Sequence, residues 1–444
     1  MKPKTLLFIT ILTLAVTGLF TNQAGASSKN KPESNGILGT AVTEKIDMTL
    51  PGKPGMEIRL EHSFGDIDIR PGQDSRIYIN GEKHLTVKDP GITGEFLQEM
   101  KLEVIERPGR VTIKTHYPDD RLKKKVKNFS ISYTIEIPSD VQLSVENSFG
   151  QIDVRDVSGE FSIANGFGSM TAYNLKGETT LKNEFGNINA DVINGNANIS
   201  TGHSSLDIDH INGDLIAEGK FGSITVKNVS GMAKIFGGHG SIECFTVSGK
   251  TDITNSFGAV TCKNIGGELK VSNSHSTVNV TDIRNATSIT TSFGKVTAKN
   301  IDGDLDVENQ HSSVEAEIIR GNVDVRTSFG SVDVDQADGD VIVTNQHSSI
   351  TVNNVLQKEM NRKRLIRLQT SFGPIKLYVP DDLSAQITAH TSQGTFKCGF
   401  PLFVNLQNVD VSSSSTQNIS GTVGDGKDSI ELEGSQGNIY LEKM

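Results

Sequence analysis

Apolar and polar residues alternate in a pattern that recurs with a fixed 18-residue period between Asn147 and Val355. Counted from one aromatic position as zero, apolar side chains dominate at offsets 3, 5, 8, 12 and 14, for example Ile224, Val226 and Val229. A spacing of two is typical of a strand with one buried face. The step from offset 5 to offset 8 breaks this alternation, so the pattern predicts a corner there and a further strand beyond it.

The aromatic position of this repeat is always Phe or His, and the residue after it is always Gly or Ser. In the first eleven repeats the residue ten positions after it is Gly, except for Asn285. We expect this Gly to supply a positive φ at a corner. The aromatic residues are Phe149, Phe167, Phe185, His203, Phe221, His239, Phe257, His275, Phe293, His311, Phe329 and His347.

A fixed period of this length is the signature of stacked structural units. Coils stacked about 4.8 Å apart would place equivalent residues over one another, and the core would exist only as a stack. The sequence therefore predicts an all-β fold, a parallel β-solenoid (β-helix) of 18-residue coils. The apolar offsets do not recur every six residues, which disfavours a left-handed coil with three equal sides. A right-handed coil, or a flattened one with two or three faces, fits better.

The aromatic positions would then form a structural ladder along the solenoid. From His203 onward Phe and His alternate strictly, so each imidazole would lie between two phenyl rings. We expect these rings to fill packed sites. Phe257→Ala would then cost about 3–5 kcal/mol, as the emptying of a packed aromatic site does.

Composition along the chain divides it into five segments. Residues 1–26 resemble a cleavable secretion signal, because Lys2 and Lys4 precede an apolar run that ends at the small residues Ala24 and Ala26. An uncleaved anchor is the alternative. A polar linker follows over 27–38, then a strand-rich N-terminal lead-in or cap over 39–145. The regular solenoid covers 146–356, and irregular coils with a C-terminal cap cover 357–444.

Charge narrows the class of partner. The chain carries a net charge of −10. Loss of the signal with its two lysines would leave −12, which argues against nucleic-acid binding. Two basic runs stand out as candidate contacts for an anionic glycan, a lipid or a protein, although either could be a solvated loop. They contain Lys123, Lys124, Lys125, Arg362, Lys363 and Arg364.

The five ladder histidines could suggest a metal array, but equivalent histidines would lie about 9.6 Å apart with a phenyl ring between them. A zinc site needs three or four ligands within about 2.0–2.3 Å of the ion. We therefore expect the histidines to be structural, and we expect neither a metal nor a cofactor. Cys244 and Cys262 are one repeat apart and should stack facing inward, as two free thiols or as a disulfide.

Carboxylates such as Asp207, Glu243 and Asp333 recur at offset 4, which leaves open a polysaccharide-active β-helix enzyme. Such an enzyme needs acidic groups gathered in a cleft. No repeat carries a loop long enough to wall a cleft, and Trp is absent. The acids are more typical of a solvated face, and we expect no catalytic residues.

Several motifs together resemble the bacterial putative-adhesin family, a toastrack-like group formerly classed as a domain of unknown function. They are Ser63-Phe64-Gly65-Asp66-Ile67, the strand ends Ile137-Pro138 and Val379-Pro380, and the stretch from Gly424 to Ile439. The resemblance implies a parallel β-coil at the cell envelope and no catalytic residues. Some members of the family belong to envelope-stress responses.

The sequence thus predicts an exported, non-catalytic β-solenoid, periplasmic or secreted to the cell surface, that acts as an adhesin or binding scaffold. Its partner would be an envelope or cell-surface glycan or protein. Two alternatives stay open, an accessory or sensor protein of an envelope-stress response and, less favoured, the polysaccharide-active enzyme.

Overall fold

Each 18-residue repeat contributes two strands, and each strand pairs in parallel with its equivalent in the next coil. The structure, a computed structural model, describes residues 40–355, 362–404 and 416–444. The predicted parallel β-solenoid with its 18-residue spacing is confirmed, in a flattened form with two strands per coil. The predicted signal and linker lie outside the described residues, and the segment boundaries above stay predictions.

The elements before the regular coils mix strands with short helical turns. They are β1 Thr40–Leu50, β2 Met56–Glu61, β3 Ile67–Pro71, β4 Ile77–Val87, a 3₁₀ turn Pro90–Ile92, α1 Thr93–Glu99, β5 Lys101–Arg107, β6 Arg110–His116, α2 Asp120–Lys123 and β7 Val126–Ile137.

The regular coils contain β8 Asp140–Phe149, β9 Ile152–Arg155, β10 Ser158–Phe167, β11 Met170–Lys176, β12 Thr179–Phe185, β13 Ile188–Asn194, β14 Ala197–Thr201, β15 Leu206–Ile211, β16 Leu215–Gly219, β17 Ile224–Val229, β18 Ala233–Gly237, β19 Ile242–Val247, β20 Thr251–Phe257, β21 Val260–Ile265, β22 Leu269–His275, β23 Val278–Ile283, β24 Thr287–Phe293, β25 Val296–Ile301, β26 Leu305–Asn309, β27 Val314–Ile319, β28 Val323–Thr327, β29 Val332–Ala337, β30 Val341–Asn345 and β31 Ile350–Asn353. The remaining strands are β32 Leu365–Phe372, β33 Ile375–Val379, β34 Ala385–Thr391, β35 Phe396–Cys398, β36 Phe403–Val404, β37 Gln417–Val423, β38 Asp428–Gln436 and β39 Ile439–Lys443.

The register follows the sequence period without a slip through the regular coils. Ile224 pairs with Ile242 and Val229 with Val247, each exactly one repeat further along the chain. Both strands of a coil turn their apolar residues inward, so Ile224 and Ile235 are at most 1% exposed. A single coil is only one strand deep along the solenoid axis, so its inward-facing residues are buried only when further coils stack on it.

The corners differ from the prediction. Positive φ recurs at offset 7, in non-glycine residues such as Asn228 (φ 53°) and Asn264 (φ 60°), and at the glycines directly after the rings, such as Gly258 (φ 110°). Glycines at offset 10 have a positive φ only in the first coils, as at Gly159. Further along they are needed for space, because a Cβ on Gly231 would lie 2.5 Å from the carbonyl oxygen of Gly213. Close approach of neighbouring coils therefore selects this glycine.

The N-terminal end is closed by antiparallel strands that the regular repeat lacks. β2 lies between β6 and β8, and β3 lies between β7 and β9, so both already belong to the stack. Beyond them β1, β4 and β7 pair antiparallel, and β5 and β6 form a hairpin. α1, which the sequence pattern did not predict, buries Phe96 fully, and the Phe96 ring lies 5.4 Å from that of Phe129.

The C-terminal end is built from strands that return to the stack out of chain order. β38 pairs in parallel with both β32 and β34, and β39 with both β33 and β35. β37 closes the edge of β34 in the antiparallel sense. None of the helices within the described ranges is long and apolar enough to cross a membrane.

Candidate functional site: an exposed aromatic column

The ladder residues form one unbroken column of stacked rings, which we call the aromatic column. Neighbouring ring centroids are 4.5–5.5 Å apart, and neighbouring planes are 1–13° from parallel. Phe64 adds a ring before Phe149, and Phe372 adds one after His347. The column therefore has fourteen rungs, from Phe64 to Phe372, and is roughly 60 Å long at this spacing.

The rungs project outward, which corrects the expectation that they fill packed sites. Phe257 is 43% exposed, and the other Phe rungs from Phe149 to Phe372 are between 39% and 46% exposed. Their ring faces are covered by the neighbouring rungs, and their edges meet water. The cause is the corner: Phe257 has the same parity as the buried Ile253 and Asn255 of its strand, but the chain turns at Gly258 (φ 110°), so the ring does not follow them inward.

The residue after each ring is small, Gly at most rungs and Ser at four of them. At Gly258 a Cβ would lie 2.4 Å from the carbonyl oxygen of Gly240 in the preceding coil, so a side chain would clash there. Beneath the turn Asn255 donates from Nδ2 to the carbonyl oxygens of Gly240 and Gly258, both at 3.1 Å. The stacked Asn residues thus bond the corner backbone rather than one another. As a result the rings stand as a ridge with little beside them.

Two ladder histidines show how the imidazole edge is fixed. The Nδ1 of His311 lies 3.2 Å from the carbonyl oxygen of Ser292, and the Nδ1 of His347 lies 3.3 Å from that of Ser328. A carbonyl oxygen only accepts, so Nδ1 is the donor in both bonds. These hydrogen bonds fix the orientation of the two imidazole rings. Because Nδ1 carries the proton in each bond, it is not available as a metal ligand.

The strips on either side of the column carry almost no charge. The residue before each ring and the two residues after it are mostly Ser or Gly between Phe149 and Phe372. Of these thirty-nine flanking positions, three are charged: Glu184, Lys220 and Lys295. Because 22% of the whole chain is charged, the stripe is depleted of charge in the way that the centre of a protein interface is.

The predicted basic contacts are not brought together with the column. Lys124 and Lys125 are exposed near α2, while Lys123 lies 3.5 Å from Asp120. Arg362 and Lys363 are exposed close to β32.

The prediction that Arg364 contacts a partner is wrong. Its side chain is 4% exposed and pairs with the equally buried Asp428 at 3.2 Å. The pair joins the start of β32 to the start of β38, so its role is structural.

Cys244 and Cys262 face the core on adjacent strands and are partners in the register. Both are buried free thiols in the structure, and burial raises the pKa of Cys244 to about 12. Burial also raises the pKa of Cys262 well above its ordinary value. Thiols held protonated in an apolar core are poor nucleophiles and poor ligands.

Sequence reasoning missed one group that could hold a metal ion. Asp191, Asp209 and His210 place ligand atoms within 4.8 Å of one another. The signal was present, since the two aspartates are one repeat apart and His210 follows the second. Asp191 lies 3.1 Å from Nδ1 of His210, and Asp209 accepts hydrogen bonds from the backbone N–H of His210 at 2.8 Å and from Nδ2 of Asn228 at 2.7 Å. All three residues of the cluster are solvent-accessible. The cluster is therefore satisfied without an ion.

A buried polar cluster under the start of the column was also missed. His62 occupies the corner position that Asn147 takes one coil later, and it is 5% exposed. Its Nδ1 lies 3.0 Å from the Thr115 hydroxyl and 3.2 Å from that of Tyr117. Burial lowers the pKa of His62 to about 4, so the ring is neutral near pH 7. A cavity of about 500 Å³ lined by Glu61, Lys114 and Glu146 opens beside it.

No family model matches the chain, and no curated protein matches it. Among solved structures, the chain is similar to a putative cell adhesion protein from Clostridium sporogenes, with 9% identity, 91% of this chain and 100% of that one covered, and a TM-score of 0.18. It is also similar to a putative adhesin from Parabacteroides distasonis, with 15% identity, 61% and 97% covered, and a TM-score of 0.23. Likeness at these TM-scores does not carry over a function.

Proposed function

We propose that this chain is an exported, non-catalytic binding scaffold of the cell envelope, an adhesin in the broad sense, and that it binds through the aromatic column. The observation that carries the proposal is the column itself. Half-exposed rings follow one another without a gap along roughly 60 Å of rigid solenoid.

An exposed apolar surface of this extent needs a reason. Monomeric soluble proteins rarely expose contiguous apolar patches beyond a few hundred Å², and larger ones mark interaction sites. With about 200 Å² for each side chain and about two-fifths exposed, the eight Phe rings from Phe149 to Phe372 alone expose roughly 700 Å². The column is also too regular to be incidental, because every regular coil presents a ring at the same offset. Stability alone would be served by turning the ring inward.

The arrangement favours a long partner over a small ligand. Sugars and cations bind to the faces of aromatic rings, and here each face is covered by the next rung at about 5 Å. Only ring edges are available, and one edge offers little area. A partner gains useful contact only by lying along many rungs.

The acidic groups support the non-catalytic part of the proposal. A general acid near neutral pH needs a raised pKa in an enclosed site. Desolvation raises the pKa of Asp324, but this carboxylate lies on an open strand face, paired with Arg326. The described residues otherwise offer shallow grooves between strands. The enzyme alternative would be established by turnover of a polysaccharide that a single Asp substitution abolishes.

The proposal is tested by binding of purified protein to whole cells and isolated envelopes. Phe221→Ser with Phe257→Ser should reduce binding strongly, because two rungs are removed from the middle of the column. The matched control is Tyr173→Ser with Ile216→Ser, since these residues are 46% and 42% exposed but lie off the column. Equal binding by both double variants would refute the column as the binding surface.

The stress-sensor alternative makes a different prediction. A sensor would change the output of an envelope-stress pathway when it is deleted, whether or not cell binding changes. Fractionation of cells, with N-terminal sequencing of the exported form, tests the expected cleavage after Ala26. Retention of the uncleaved chain in the cytoplasm would refute the envelope part of the proposal.

A further inference from the structure

We infer that the partner of the aromatic column is the column of a second copy of this chain, running in the opposite direction. The inference rests on the proposed function of the column as an interaction surface and names the occupant of that surface. Three features carry it: the exposed area, the spacing of the rungs, and the order of Phe and His. The few flanking charges are compatible with it.

The exposed area is what a stable pair of proteins requires. With about 200 Å² for each Phe side chain and about two-fifths exposed, the eight Phe rungs from Phe149 to Phe372 offer roughly 700 Å², and the five exposed His rungs add to this. Two copies facing each other would bury roughly 1,400 Å² from the Phe rungs alone, within the range of a standard interface. The charge-poor flanks would add to this area without burying an ion.

The spacing of the column is matched by a second copy. Rungs recur at about 4.8 Å along the whole length because adjacent strands have that separation. Another column has the same separation by construction, so the two stay in step over all rungs. A partner with a different repeat would lose step within a few coils.

Two-fold symmetry allows two ways for straight columns to face each other. If the axis lies along the column, each rung faces its own equivalent, and the five ladder histidines oppose one another. If the axis crosses the column midway, the copies are antiparallel and the first rung faces the fourteenth. The axis then passes between His239 and Phe257.

In the antiparallel arrangement every histidine faces a phenylalanine of the other copy. This follows because all five histidines occupy odd-numbered rungs. In a column of fourteen rungs, an odd-numbered rung faces an even-numbered one, and every even-numbered rung is Phe. No imidazole then meets its own equivalent, so protonation of the ladder would not set like charges against each other. The facing rungs are His203 with Phe293, His239 with Phe257, His275 with Phe221, His311 with Phe185, His347 with Phe149, Phe64 with Phe372, and Phe167 with Phe329.

The three flanking charges are accommodated by the antiparallel pair. When the two-fold axis crosses the column, the residue that precedes one ring faces the residue that precedes the opposite ring in the other copy. Glu184 then faces Gln310, Lys220 faces Ser274, and Lys295 faces Ser205. No flanking charge therefore meets a like charge of the other copy, which would be unfavourable.

Sedimentation equilibrium of the purified protein over a range of concentrations tests the pairing. The wild-type chain should be a dimer that dissociates on dilution. Phe257→Lys should raise the dissociation constant by roughly tenfold or more, because the new charge enters the centre of the interface twice. Tyr173→Lys is the matched control, with nearly the same exposure away from the column, and should leave the dissociation constant unchanged. Melting curves of both variants check folding.

Cysteine cross-linking tests the direction. Ser148 flanks the second rung and Gln346 flanks the thirteenth, so the antiparallel pair brings them together. A mixture of Ser148→Cys and Gln346→Cys proteins should give a disulfide-linked dimer under mild oxidation. Neither variant alone should do so, because identical positions would be roughly 50 Å apart. The wild-type chain sets the background from its own cysteines.

Three outcomes would overturn the inference. They are a monomer at all concentrations, a dimer that Phe257→Lys does not weaken, and self-linking of each single cysteine variant. A monomer whose cell binding is still lost in the Phe221→Ser, Phe257→Ser protein would leave the proposed function standing with a different partner. Unchanged cell binding and unchanged assembly in that double variant would remove both proposals.

Discussion

Phe257→Ala is the change that most directly tests the outward placement of the column. Phe257 is 43% exposed, so a little over half of about 200 Å² is covered, on the order of 110 Å². At about 25 cal/mol per Å² this burial contributes at most about 3 kcal/mol. Alanine retains part of the covered area, and the vacated space opens to water without leaving a cavity. We therefore expect a loss of about 2 kcal/mol, below the 3–5 kcal/mol of a packed aromatic site.

The measurement should be local, because a stack of coils need not unfold in one step. Native-state hydrogen exchange of the amides in β20 and β22 reports the free energy of opening at the coil concerned. The internal control is Ile253→Ala on the same strand. Ile253 is fully buried, so this change should cost about 2–5 kcal/mol. Repeating the measurement at high dilution separates the coil's own stability from any contribution of pairing.

The result that refutes the reasoning is a loss for Phe257→Ala as large as that for Ile253→Ala, at high dilution. The ring would then be packed and the column would not be a free surface. No loss at all would equally contradict the structure, because two ring contacts at 4.8 Å would then contribute nothing.

Three further predictions follow from buried groups. Asp428→Ala should cost about 3–5 kcal/mol, because it leaves a buried arginine without its ion partner, whereas Glu431→Ala in an exposed pair should cost under about 1 kcal/mol; urea unfolding compares them. Stability should be full above about pH 6.5 and fall by roughly 3 kcal/mol as the pH is lowered from 6.5 to 4, because over this range the unfolded state binds a proton at His62 that the folded state, with a pKa of about 4, does not. His62→Asn gives position 62 the residue that the neighbouring coil has at Asn147, and it should flatten this part of the pH profile of stability. A thiol assay on unfolded, non-reduced protein should find all three cysteines free; one thiol would mean a bridge.

The paired surface gives the proposed adhesin a concrete mode of action. Two copies on one cell would form a wider envelope scaffold, and copies on facing cells would hold the cells together. The envelope-binding and assembly experiments distinguish these cases, because only the second makes cell binding depend on the receiving cell displaying the chain.

The sequence determined the parts of this protein that depend on period alone. An 18-residue repeat with apolar residues two apart requires strands with one buried face, and only stacked coils can bury that face. Register follows, since like residues must lie over like. The inward direction of Cys244 and Cys262 also follows, because alternation within a strand assigns them to the same face as Val226.

Only the tertiary structure decided what happens at corners and ends. A ring at a corner can turn inward or outward according to backbone angles that alternation does not specify, such as the positive φ of Gly258 directly after Phe257. The local sequence around Arg364 is typical of a charged surface loop. In the structure Arg364 is buried against Asp428 of β38, which is 64 residues further along the chain. Contacts of this kind depend on which distant strand packs against the residue, and a local sequence pattern does not specify that strand.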